Sequence, residues 1–207
     1  MSEQLAPPSA LYKWLDAEGV SCHGGYGKWD LPNGKPGKWR RVHGQLVPCK
    51  NGIHLCRAQD LLGWCAPRLF VAEHGGALVI AENKVVVRKA RLLREVTTWN
   101  DRIARLFACD CAERALKAAK VADERSYNTI AVARRFANGN ATAAELDAAH
   151  AAAQDAARTA AHAAAHAAVW AAQAVAWDAA HAAAHAAWNT EREWRTQRLL
   201  AYLNGEV

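Results

Sequence analysis

Between Ala141 and Ala187, 28 of 47 residues are alanine. Alanine is the strongest helix former and has almost no side chain to bury, so this tract can be helical but cannot make a core from itself. Its bulk lies in Trp170, Trp177 and Trp188. At 100° per residue these three fall within about 20° of one another, on one stripe. The spacing predicts one helix from 141 to 188, about 70 Å long at 1.5 Å per residue. Such a helix needs a facing surface, either the helices before it or a second copy of the chain. A homo-oligomer is therefore expected.

A change in punctuation marks where the helical region begins. From Thr98 onward there is no proline, and glycine occurs only at 139 and 205. Thr98-Trp99-Asn100-Asp101 can cap a first helix, and a second is predicted over about 126–137, stopping at Asn138-Gly139. Thr142-Ala-Ala-Glu145 and Thr190-Glu-Arg-Glu193 read as capping boxes, the second opening a last helix that ends near Asn204-Gly205. The expected organisation is α+β: a small basic α+β domain over residues 1–97, then an all-α, Ala-rich domain over 98–207.

Charge divides the chain at the same place. Residues 1–100 hold 14 Lys and Arg against 8 Asp and Glu, while residues 101–207 hold 12 of each. The whole excess of +6 thus belongs to the first half, and an anionic partner would meet that half. The excess is modest and no nucleic-acid reader motif is present, which argues for a small anion rather than long nucleic acid. No uncharged apolar stretch of about 20 residues marks a membrane span. The first residues carry neither a basic segment nor an apolar one, so a cytoplasmic protein with reduced thiols is expected.

Within the first half, Leu11–Leu15 reads as a strand, Ile53–Cys56 as another, and residues 57–66 as a short amphipathic helix. Segments 69–72, 77–81 and 84–93 read as three further strands. Bases and aromatics interleave in Lys28, Trp29, Lys35, Lys38, Trp39, Arg40 and Arg41. Trp29 and Trp39 could stack on a base while Arg40 and Arg41 neutralise phosphate. Lys84, Arg88, Lys89, Arg91 and Arg94 form a second basic strip, equally readable as a solvated strand edge that discourages pairing.

Histidines and cysteines raise metal readings. His162/His166 and His181/His185 have the i,i+4 spacing that brings two imidazoles to one ion. Nineteen residues separate the repeats, turning the pairs about 100° apart. The tract therefore reads as polar spacing along an Ala helix. Cys22, His23, Cys49, His54, Cys56 and Cys65 lack the close Cys pair of a zinc knuckle. No metal and no cofactor is assigned, and no residue is given a catalytic role.

Two resemblances add to this reading. The segment Asp101-Arg102-Ile103-Ala104-Arg105-Leu106-Phe107-Ala108-Cys109-Asp110-Cys111-Ala112-Glu113-Arg114, the helix end Ala133-Arg134-Arg135-Phe136-Ala137-Asn138-Gly139 and the Ala-rich tail resemble a family of helical predicted immunity proteins. That family accompanies bacterial polymorphic-toxin systems, and similar segments occur in phage proteins. The resemblance covers roughly residues 99–190 and implies a binding module that is not catalytic. In the first half, Cys49-Lys50-Asn51-Gly52-Ile53-His54-Leu55-Cys56 resembles a strand beside the NAD pocket of ADP-ribosyltransferase-like folds. Tyr12-Lys13 and Cys22-His23-Gly24 would occupy the neighbouring strand and loop. An active transferase would further need a late glutamate, for which Glu95 is the candidate.

Together these readings give a protein of bacterial or phage conflict that sequesters an anionic nucleotide-like ligand, an anti-defence role. The expected ligand-binding residues are Tyr12, Lys13, His23, Trp29, Trp39, Arg40, Arg41 and His54. Two alternatives stay open: an immunity protein that blocks a protein toxin, and an ADP-ribosyltransferase-like or phosphodiester-cleaving enzyme using His23 or His54.

Overall fold

The computed structural model describes residues 10–22, 27–118, 120, 122–152, 154 and 177–207, with side chains from residue 188 onward in the last segment. Five strands come first: β1 (Leu11–Leu15), β2 (Arg40–Arg41), β3 (Ile53–Leu55), β4 (Arg68–Ala81) and β5 (Lys84–Glu95). A 3-10 helix, η1 (Ala58–Trp64), lies between β3 and β4. Helices α1 (Asp101–Ala118), α2 (Glu124–Ala137), α3 (143–152) and α4 (Trp177–Asn204) follow. The chain forms two units, one of Met1–Asn100 with Thr196–Val207, the other of Asp101–Arg195.

The first unit is an antiparallel sheet that closes on itself. β1 pairs with β4, and β4 with β5. The far edge of β5 takes β2 at Ala90 and Lys89, and β3 from Val85 to Val87. Two backbone hydrogen bonds of 2.8 Å between Tyr12 and Cys56 then join β1 to the end of β3. Strand alternation sends Leu11 and Leu15 to the face shared with Trp29, Ile53, Leu55, Phe70, Ala72, Val87 and Leu92, all buried in one cluster. Lys13 has the parity of these leucines and so sits on the same apolar face.

On the opposite face of β1, Trp14 meets Trp99 edge to face at 5.3 Å and donates its indole N–H to the carbonyl of Leu61. The last turns of α4 belong to this unit. Leu199 and Leu203 are fully buried there, and the Thr98 hydroxyl donates to the carbonyl of Leu203 at 2.6 Å.

This architecture overturns the expected fold class. The first hundred residues are not an α+β domain: among the described residues up to Asn100, helix is confined to η1. The stretch 57–66 has helical apolar spacing, but it is anchored at both ends by the β4–β5 hairpin. Arg57 donates to the carbonyls of Ala81 (3.3 Å) and Glu82 (2.8 Å), and the Trp64 indole donates to that of Asn83 (2.8 Å). A buried Asp60 grips Arg57 through two hydrogen bonds and holds the segment in seven residues of 3-10 turn. The helical region is not self-contained either, because residues 196–207 return to the strand-rich unit.

Two further expectations change. Segments 69–72 and 77–81 are one strand, because the Gly75-Gly76 pair makes a bulge rather than a turn. The register slips between Gly75 and Leu78, and Gly76 takes φ +75°, where a Cβ is disfavoured. Thr190 does not open a new helix, since α4 runs through it from Trp177 to Asn204.

In the second unit, α1 and α2 are joined by charge. Arg134 forms ion pairs with Asp110 at 2.6 Å and Glu113 at 2.8 Å, and the Asp110 side chain is buried. Asn138 accepts two hydrogen bonds from Arg102, and Arg105 lies over the Phe136 ring at 5.1 Å. Cys109 is buried with its thiol toward the carbonyl of Ile130. The capping box at Thr142 is reciprocal: Glu145 accepts from the Thr142 backbone N–H (2.7 Å) and donates its own to the Thr142 hydroxyl (3.2 Å). Of the tryptophan stripe, Trp188 is 65% exposed. Trp170, His162, His166 and the side chains of Trp177, His181 and His185 lie outside what is described, as does the unbroken 141–188 helix as a whole.

Candidate functional site

The first unit carries a cavity of about 390 Å³ where β1, β3, the start of β5, Ser21, Cys22, Trp29 and the segments 40–42 and 49–52 meet. Its lining includes Lys13, Arg40, Arg41, Lys50 and Lys84 but no aspartate or glutamate. Among the described residues, none of these five cations forms an ion pair. Elsewhere in the same unit, Arg57 pairs with Asp60, Arg68 with Glu95, and Arg91 with Glu73. Of the Asp, Glu, Lys and Arg side chains, those that line the cavity are thus all basic.

Local structure sets each cation. Arg40 lies over the Trp29 ring at 4.9 Å and donates to the carbonyls of Gly27 and Lys28. Lys13 reaches inward from β1 and donates to the carbonyl of His54 at 3.2 Å, with its ammonium 5.9 Å from the Trp29 ring. Burial first, and the Arg40 charge beside it, hold this amine below the usual lysine range. Lys84 sits over the Trp64 ring at 4.7 Å and donates to the Cys49 sulfur at 3.2 Å.

The loop between β2 and β3 is braced from within. The Asn51 amide donates to the carbonyls of His43 and Gln45, and Arg88 donates to those of Val42 and Gly44. Gly52 has φ +147°, and a Cβ there would lie 2.1 Å from a Val86 methyl, so the chain can pass over β5 only without a side chain. Cys49 takes a left-handed φ of +64° and donates its backbone N–H to His54 Nε2 at 3.1 Å. His54 is therefore neutral with its Nδ1 protonated, and burial plus Lys13 and Lys84 push its pKa down.

Five of the eight expected residues come together here: Lys13, Trp29, Arg40, Arg41 and His54. Trp29 serves as a wall rather than an open stacking platform, because it is 4% exposed and its indole N–H is given to Ser21. Tyr12 is not in the site, since it points to the opposite face of β1 and is 1% exposed. Trp39 is also outside the lining, packed under Lys89 (4.6 Å) and Arg91 (4.8 Å). His23 lies outside the described residues.

Lys50 and Trp64 also line the cavity without having been expected there, and Lys84, readable in the sequence as part of a basic strip or as a solvated strand edge, joins them. The available signal was Lys84 directly after the hairpin turn, but its partner across the cavity is 35 residues away at Cys49.

Several chemistries find no support in the arrangement. Glu95 is held by Arg68 through bonds of 2.7 and 2.6 Å and does not line the cavity. Burial raises the Cys22 thiol and pushes that of Cys56 up to about 12, leaving both as protonated wall groups at neutral pH. Among the described residues, no group of three His, Cys, Asp or Glu side chains could hold a metal ion. No described helix is long and apolar enough to cross a membrane.

No family model matches the chain, and no match appears among curated proteins or solved structures.

Proposed function

We propose that the first unit captures a small anionic, nucleotide-like ligand in the cavity between β1 and β3, and holds it. The carrying observation is a cavity lined by five basic side chains and no carboxylate, together with Trp14, Trp29 and Trp64. Arg40, Arg41 and Lys84 would take phosphate or carboxylate oxygens, and Trp64 would flank an aromatic ring. Holding rather than turnover is supported by the engagement of His54 Nε2 and by the protonated thiols of Cys22 and Cys56. The resemblance of residues 99–190 to immunity proteins supports a setting of bacterial or phage conflict, in which capture would act by sequestration. None of the six cysteines is in a disulfide, which supports a reducing, cytoplasmic setting.

A second reading, docking of a protein such as a toxin or a second copy, rests on Trp188, a large apolar ring 65% exposed on α4. One thermal-shift and calorimetric screen separates the two. Pyrophosphate, ADP-ribose, NAD and cyclic nucleotides are titrated at low and high salt. Salt-sensitive binding of any of them supports ligand capture, while failure of all moves the function to the protein interface.

A further inference from the structure

Lys13 is an unusual choice for a site that merely neutralises charge. It shares a strand face with the buried Leu11 and Leu15, where an ammonium is costly to desolvate. Its one described acceptor is a neutral carbonyl, that of His54, and among the described residues no carboxylate pairs with it. Arg40, Arg41, Lys50 and Lys84 already supply positive charge around the same cavity. Burial shifts this amine's pKa down from the usual lysine value, which eases loss of its proton, and the deprotonated amine is a nucleophile. The thiols of Cys22 and Cys56 face the same space, and burial keeps them protonated.

We propose that Lys13 captures an anionic aldehyde or ketone as an imine, the ligand's acidic group being held by Arg40 and Lys84. This inference rests on the cavity being an anion site. The Lys13 nitrogen lone pair forms a bond to the carbonyl carbon as the C=O π pair moves to oxygen. Transfer of a proton from nitrogen to that oxygen gives a neutral carbinolamine. Loss of its hydroxyl, with the remaining N–H proton, as one water leaves the C=N bond. No oxidant or reductant is consumed, and water reverses the step. The other lysines of the cavity are placed differently: Lys84 is engaged by Cys49 and Trp64, and Lys50 is exposed on the loop.

The test uses the whole chain with pyridoxal 5′-phosphate, and with glyoxylate as a smaller probe, followed by borohydride. Hydride addition fixes any imine as a secondary amine, which peptide mass spectrometry then maps. At limiting probe the adduct is expected on Lys13, is lost when pyrophosphate is added, and is absent from Lys13→Arg. Pyrophosphate binding to the wild type is measured alongside by calorimetry. Adduct on other lysines with Lys13 unmodified overturns the imine, and leaves the anion site standing if pyrophosphate binds. A Lys13 adduct indifferent to pyrophosphate overturns anion-directed capture. Absence of both adduct and pyrophosphate binding overturns both readings. Should Lys13→Arg fail to fold, the wild-type peptide map decides alone.

Discussion

His54 Nε2 accepts the backbone N–H of Cys49 at 3.1 Å, so the imidazole that the sequence offers as a ligand or base is a clasp on the loop over the cavity. That loop contains a left-handed cysteine, a conformation a non-glycine residue keeps only when its surroundings hold it there. Replacing His54 with alanine should cost about 1 kcal/mol by denaturant unfolding, the usual net worth of one such bond. Ligand affinity should fall with it. His54→Gln, whose amide oxygen can accept the same N–H, should recover part of both. Equal losses in the two variants would show that the clasp is not what His54 contributes.

The same clasp fixes a pH dependence. The folded-state pKa of His54 lies below its usual value of 6.5. As pH falls through 6.5, the unfolded chain takes up the proton first, so stability drops in that window and is fully present above it. Glu113 and Glu191, held below the usual 4.5 by arginine and lysine partners, lose their contributions only at more acid pH. Unfolding free energies from pH 7 to 5 should therefore slope less in His54→Gln than in wild type. Superimposable slopes would assign the window to other groups.

A charge map discriminates the cavity from the rest of the basic surface. Arg40→Ala and Lys84→Ala should each weaken binding of an anionic ligand about 10- to 100-fold, as loss of a charge-assisted contact of roughly 1.5–3 kcal/mol implies. Lys89→Ala removes an equal charge that stacks on Trp39 outside the lining, and should leave affinity within about twofold apart from screened long-range attraction. Equal effects of all three in calorimetric titrations would mean that net charge, not the cavity, sets affinity.

In the helical unit, removing the two partners of one ion pair should have unequal effects. Arg134→Ala leaves the buried Asp110 carboxylate without its guanidinium and should cost about 3 kcal/mol, at the low end for a broken buried pair because Arg134 is part-exposed. Asp110→Asn keeps a hydrogen-bond acceptor and leaves Arg134 its second partner, Glu113, so it should cost nearer 1 kcal/mol. Thermal unfolding of both variants checks the order.

What could be read from the sequence follows the range of the forces involved. Strands Leu11–Leu15 and Ile53–Leu55, helix Glu124–Ala137, the Thr142–Glu145 box and the stop at Gly205 are set by neighbours a few residues apart. The 3-10 segment after Arg57 is decided by carbonyls at Ala81, Glu82 and Asn83, which local periodicity cannot register. The site shows the same division. Trp29 and Arg40 are legible as an aromatic–basic pair, whereas Lys13 and Lys84 join them only through strand pairing across the closed sheet. Asp110 and Arg134, on different helices, likewise meet only once α1 and α2 have packed.

The return of residues 196–207 to the first unit imposes an order on synthesis. All residues lining the cavity have been added to the chain once Lys84 is made. The unit that holds them still lacks the fully buried Leu199 and Leu203 until translation has reached residue 203. Closing a contact such as Thr98 to Leu203 across 105 residues is entropically slow, and until then the apolar side chains it will cover are open to other chains and to chaperones. A stop codon placed between residues 196 and 203 would leave every cavity residue in place yet deny them a finished domain.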